Sequence, residues 1–141
     1  MNRKNQLLLG VLLGGWLGLL FFQWLTPTIW GADGYFHIRL AKMMAQQGFL
    51  KTLPQAQLSY FNDRFSDKDW FYHLSLVPFT LGKNIFVGAK WAAWLGSVWL
   101  YSSLVIVASF YTPWQFWPLT GALFFASDHF LRTISEPRPV F

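Results

Sequence analysis

The sequence contains no cysteine. Disulfides and thiolate metal sites are excluded, and the redox compartment stays open on that ground. Charge is scarce as well. Only 12% of the residues are Asp, Glu, Lys or Arg, roughly half the share found in an ordinary soluble domain. There is no dense Lys/Arg run and no nucleic-acid motif, so the net charge of +5 does not point to nucleic acid. The cations lie mainly at the N-terminus and in one loop, which favours anionic lipid headgroups or phosphate substrates as partners.

What is present is apolar. Hydrophobic residues make up 54% of the chain and aromatics 21%, with nine Trp and fifteen Phe, which suits interfacial belts as well as a core. A basic head containing Arg3 and Lys4 precedes an uncharged run over residues 6–30. A signal peptide has the same order of charge and apolar residues. This run is longer than a typical signal core, however, and no small-x-small site precedes Pro27. A retained membrane helix over residues 7–25 is therefore predicted, since ~20 apolar residues span a bilayer. Arg3 and Lys4 place its N-terminus in the cytoplasm by the positive-inside rule. Gly10, Gly14 and Gly18 recur every fourth residue and predict a smooth face for close helix packing.

Residues 26–83 read as a long outer loop. Its cations, among them Arg39, Lys42, Lys51 and Arg64, are tolerable there because long loops translocate largely regardless of charge. Within the loop a helix is predicted over residues 34–47, with Asp33 as N-cap and Gly48 as the stop. Tyr35, Arg39, Lys42 and Gln46 share one face of it. Phe36, His37, Leu40, Met43 and Met44 share the opposite face, the pattern of a helix lying in the membrane interface. Residues 48–66, with Pro54 and Asn62-Asp63, read as irregular. A second helix begins near Asp67 or Asp69 and runs to about Leu76, ahead of Pro78. The two helix starts resemble each other: Asp33-Gly-Tyr-Phe-His-Ile-Arg-Leu and Asp69-Trp-Phe-Tyr-His-Leu-Ser-Leu both read Asp, any residue, two aromatics, His. The simplest account is that two interfacial helices meet the same needs, an acidic cap and aromatics at headgroup depth.

A second span is predicted over residues 91–111, with Lys83 and Lys90 at its outer end snorkelling to the headgroups. Thr112-Pro113 is the turn, and residues 114–127 form a short third run that returns the chain to the outer side at Asp128. Residues 134–139 have the polar and proline content of a loop, and Val140-Phe141 looks like the start of another apolar run. The expected fold is thus an all-α polytopic membrane protein with about three transmembrane helices and two amphipathic interfacial helices. Its segments are 1–25, 26–83, 84–130 and 131–141, the last holding a second outer loop and the opening of a truncated fourth span. A fragment, or the product of a shortened gene, is expected.

Ionisable residues at a membrane border are functional candidates. Asp33 is a candidate catalytic carboxylate, or the cap of its helix, or both. His37, one turn later on the same side, can share a proton with Asp33 or orient a substrate hydroxyl, or simply sit at the interface edge. Arg39 and Lys42 suit a pyrophosphate, or form a headgroup-facing side. No two of His37, His73 and His129 have the close spacing of a zinc motif. A hard cation, Mg²⁺ or Mn²⁺, suits Asp33 together with Asp128 and Glu136, because odd-numbered spans end outside and bring both loops to one side.

The Asp33-to-Ala41 segment and the Asp67-to-Phe79 segment, beyond a first apolar span, resemble the N-terminus of the C-fold membrane glycosyltransferases. The likeness is to the oligosaccharyltransferase catalytic subunit and its bacterial relatives. That resemblance implies transfer of a sugar or oligosaccharide from a polyprenyl-phosphate-linked donor to an acceptor on the outer face of a bacterial inner membrane. It gives Asp33 the place of the first-loop aspartate, which binds the metal or acts on the acceptor. The chain departs from the family's paired acidic motif, because Asp128 and Glu136 are too far apart to form one. Arg132 and Arg138 are then candidates for the donor phosphates. A rival reading is a small non-enzymatic membrane protein, such as an assembly subunit, or an inactive truncated product.

Overall fold

The computed structural model describes residues 2–53 and 62–137. Among them the chain is all-helical, with six α-helices and no strand. Helix α1, Arg3–Trp24, starts at Asn2, whose side chain accepts from the Asn5 N–H at 2.9 Å. Its 22 residues reach about 33 Å at the usual helical rise. Helix α2 is Asp33–Gln47 and ends at Gly48, whose φ of 76° lies in the left-handed region where a residue without Cβ is favoured. Helix α3, Trp70–Leu76, runs on into a 3₁₀ turn, Val77–Thr80. Helix α4, Ile85–Tyr111, begins six residues before the predicted second span and ends where expected. The Asn84 side chain caps it, accepting from the N–H groups of Phe86 and Val87. A 3₁₀ turn, Trp114–Phe116, then leads to α5, Trp117–Leu123, and α6, Asp128–Ser135.

Helices α1 and α4 are long and apolar enough to cross a membrane. Their most apolar windows are only 17% and 28% buried, whereas the core helix of a soluble domain hides most of its apolar surface. Phe21 and Phe110, for instance, stand 70% and 79% exposed. The two helices run antiparallel and are joined by polar side chains aimed at backbone and hydroxyl partners. Tyr101 donates its hydroxyl to the Val11 carbonyl at 2.9 Å, Trp94 its indole N–H to the Trp16 carbonyl at 3.1 Å, and Trp16 its own N–H to Ser102 Oγ at 2.9 Å. Where water is scarce, such groups have to find partners inside the protein.

The third run differs from expectation. Residues 114–127 do not form one helix, since α5 holds only seven residues. The chain nevertheless travels the length of the α1–α4 pair. Trp114 lies under the Arg3 guanidinium at 5.8 Å, Gly121 lies against Val11 and Tyr101, Phe125 against Gly18, and Ser97 Oγ donates to the Ile134 carbonyl at 2.8 Å. This path is a broken helix. Phe125 and Ala126 tighten into 3₁₀-type bonds to Ala122 and Leu123, and Ser127 then caps α6 by accepting from the Phe130 N–H. Residues 128–135, predicted as the landing of an outer loop, form the second half of this broken helix.

Two further expectations are corrected. Gly10 and Gly14 face open space, and of that stripe only Gly18 meets a neighbour; the close approach is made by Gly15, against Tyr101. Lys90 does not snorkel. It is 5% exposed and donates to the carbonyls of Gln23 and Thr26 at the end of α1.

Two apolar clusters follow from this arrangement. One, with Leu19, Val98, Tyr101 and Leu131, holds α1, α4, α5 and α6 together. The other, with Ile29, Ile38, Ala41, Leu76 and Ala89, packs α2 and α3 on the N-terminal turns of α4. Helices α2 and α3 thus form a cap on the α1–α4 pair, and that cap carries the site.

Candidate functional site

The chain leaves α1 through a turn that aims α2. The Ile29 N–H donates to the Tyr35 hydroxyl at 3.3 Å, and Gly31 takes a φ of 73°. A side chain on Gly31 would lie 2.3 Å from the Glu136 carboxyl carbon, and one on Gly34 would lie 2.6 Å from Pro137. The segment following α6 therefore rests directly on the start of α2. Asp33 is exposed in the first turn of that helix. It is not the N-cap: Ala32 holds that position, without a side-chain cap bond. A carboxylate in the first turn is favoured by the helix dipole.

The structure brings Asp33 and Glu136 to the same end of α2, but it does not assemble a metal site from the predicted set. Asp128 pairs with Arg132 at 2.8 Å on α6. Among the described residues no group of three or more His, Cys, Asp or Glu side chains is placed to hold an ion. Arg132 also stacks its guanidinium over the Trp30 ring at 4.9 Å. Its exposed ion pair contributes at most about 1 kcal/mol, little enough for an incoming anion to compete. Arg138 lies outside the described residues. Arg39 and Lys42, together with Phe36, Met43 and Leu53, line an open groove of about 550 Å³ along α2.

His37 departs furthest from the sequence reading. It is buried, and its Nδ1 lies 2.7 Å from Nε2 of His73 on α3. His73 in turn places its Nδ1 2.6 Å from Asp67 Oδ2. The other oxygen of Asp67 accepts from the Asp69 N–H at 3.0 Å, which fixes the carboxylate at the start of α3. Neither Asp67 nor His73 was predicted as a site residue. One signal existed, the shared Asp-x-aromatic-aromatic-His pattern, whose two histidines are the pair that meets.

The carboxylate decides the tautomers. Asp67 only accepts, so His73 Nδ1 carries a proton and donates it. In neutral His73, Nε2 then accepts, and His37 Nδ1 must be the donor. That leaves the His37 Nε2 lone pair unprotonated. Burial, and next the neighbouring His73, lower the His37 pKa; Asp69, Asp33 and Asp67 oppose that shift. Burial also raises the pKa of Tyr72, whose ring stands edge-on to His37.

A stability test follows from the sign of this shift. The folded state takes up the His37 proton less readily than the unfolded chain. The stabilisation is complete above the ordinary histidine value of 6.5 and is lost as pH falls through the lower folded value. The unfolding midpoint in detergent is expected to drop on going from about pH 7 to about pH 5, and His37→Gln is expected to shrink that drop. An equal drop in both proteins would contradict the assignment.

The fold and site together define an all-helical chain with two helices of membrane-crossing length and a two-helix cap carrying an Asp–His–His chain. No family model, curated protein or solved structure matches it.

Proposed function

We propose that this chain is part of a polytopic membrane glycosyltransferase. It moves a sugar or oligosaccharide from a polyprenyl-phosphate-linked donor to an acceptor on the outer face of a bacterial inner membrane. The observation that carries this reading is the position of Asp33. It is an exposed carboxylate directly beyond a helix of spanning length, at the end of α2 on which residues 136 and 137 rest. Asp33 serves as the catalytic carboxylate beside His37. The groove lined by Arg39 and Lys42 together with Phe36, Met43 and Leu53 suits a lipid phosphate, which presents an anionic head and an apolar tail. Arg132, held over Trp30, is a second phosphate ligand. The lipid bilayer is the remaining partner.

Asp33→Asn in the full-length protein, assayed for transfer from a lipid-linked sugar, is expected to lower turnover by about 100-fold or more. Turnover equal to wild type would refute the assignment. One observation favours a non-enzymatic membrane subunit instead: Asp67, His73 and His37 bond to each other, as a purely structural network would. Absence of any transfer by the full-length wild type would select that reading.

A further inference from the structure

We infer that Asp67, His73 and His37 form a proton relay whose working end is His37 Nε2, the base that receives the hydroxyl proton of the sugar acceptor. The inference rests on the glycosyl-transfer reading above and adds the proton's destination to it. The three groups lie in one line of contacts, 2.6 Å and 2.7 Å long, reaching from the start of α3 across to α2. His73 is 1% exposed, whereas His37 at 8% and the Asp67 side chain at 11% lie nearer the surface; of these two ends only His37 carries an unprotonated ring nitrogen. The buried side-chain polar atoms without a partner among the described residues belong to Gln23 and Trp30; His37 Nε2 is not one of them.

The step balances as follows. As the acceptor oxygen forms its bond to the anomeric carbon, its proton passes to His37 Nε2. The bond from that carbon to the phosphate oxygen breaks, and its electron pair leaves on the polyprenyl phosphate. His37, now cationic, can hand its Nδ1 proton to His73 Nε2, where the positive charge rests against the Asp67 carboxylate. An opposite charge at hydrogen-bond distance stabilises that imidazolium. Within the relay His37 is the catalytic residue, and His73 and Asp67 are positioning residues acting through it. A lone buried histidine would have to carry the charge itself. The groups facing His37 are His73 and Tyr72 from α3, Asp67 and Asp69 from the turn before α3, and Asp33 from its own helix. The lowered His37 pKa keeps its lone pair available at neutral pH, so kcat/KM should be flat above pH 6.5 and fall with acid below it.

The relay predicts outcomes that packing alone does not. His73→Gln keeps one acceptor for His37 and one donor for Asp67 but cannot become cationic. In the full-length protein it is expected to lower kcat by about 100-fold with KM nearly unchanged. Asp67→Asn removes a charge that raises the His37 pKa, so it should also move the acid limb of the pH profile to lower pH. Wild-type kcat and an unmoved acid limb in both variants would reduce the network to a structural one and overturn the proposal. Nitrogen-15 imidazole spectra of the wild-type protein provide a readout independent of activity, in which His37 should show a protonated Nδ1 and a bare Nε2. The opposite tautomer would overturn the relay even if transfer is observed. A wild-type protein with the expected tautomer but no transfer would overturn the base assignment together with the glycosyl-transfer reading.

Discussion

Replacing Lys90 with methionine is expected to lower the unfolding free energy in detergent by about 2–4 kcal/mol, since each buried carbonyl left without a donor costs about 1–3 kcal/mol. Lys90 sits in the second turn of α4, 5% exposed, and reaches the Gln23 and Thr26 carbonyls. The Gln23 carbonyl is among the last four of α1, which have no partner within their own helix. A cation at a helix C-terminus also meets the negative end of the macrodipole. The Trp24 ring, 5.9 Å away, adds a cation–π contact. Against these gains stands the desolvation of the ammonium, which methionine would relieve. The gains win because removing one partner strands the others. Lys83→Met is the control, because Lys83 is exposed, and its expected effect lies within about 0.5 kcal/mol. Equal midpoints for the two variants would show that Lys90 does not anchor α1 to α4.

The second large effect belongs to Gly15. A Cβ built there would lie 2.1 Å from two atoms of the Tyr101 ring, far inside contact distance. The ring has little room to retreat, because Tyr101 is 1% exposed and its hydroxyl is bonded to Val11. It also packs edge-on to Phe124. Gly15→Ala therefore has to push α1 away from α4, and overpacking of this kind costs about 1–3 kcal/mol or more. Gly14→Ala, one position earlier with nothing within 4 Å, should instead gain about 0.5–1 kcal/mol from helix propensity. Two neighbouring alanines with opposite signs are the expected outcome of thermal unfolding in detergent. A destabilised Gly14→Ala beside a neutral Gly15→Ala would mean that the helix presents a different face.

Both cases show where reading the sequence stops. A stripe of glycines at every fourth position was visible, yet the contact is made by the glycine next to it. The rotation of α1 is set by Trp16, Tyr101 and Trp94 bonding across the interface, and these pairings join residues more than seventy positions apart. In the sequence Lys83 and Lys90 look alike, because both lie near the start of an apolar run. Only the fold distinguishes Lys83 at the surface from Lys90 under the end of α1.

The amino-acid order alone established the all-helical class, the two long apolar helices, α2 and α3 with nearly their observed ends, and the candidacy of Asp33 and His37. These features depend on local periodicity, caps and breakers, which a window of a dozen residues contains. Tertiary structure decided the rest. It split the third apolar run at Phe124–Ser127, because a short α5 starting at Trp117 and a Ser127 cap suit two helices better than one. It paired Asp128 with Arg132 and set Glu136 on Gly31. It also joined His37 to His73 and Asp67, which the sequence holds 36 and about 30 positions away. A hydrogen-bond chain between helices depends on how their faces meet, and that meeting is fixed by packing on α4 rather than by either helix alone.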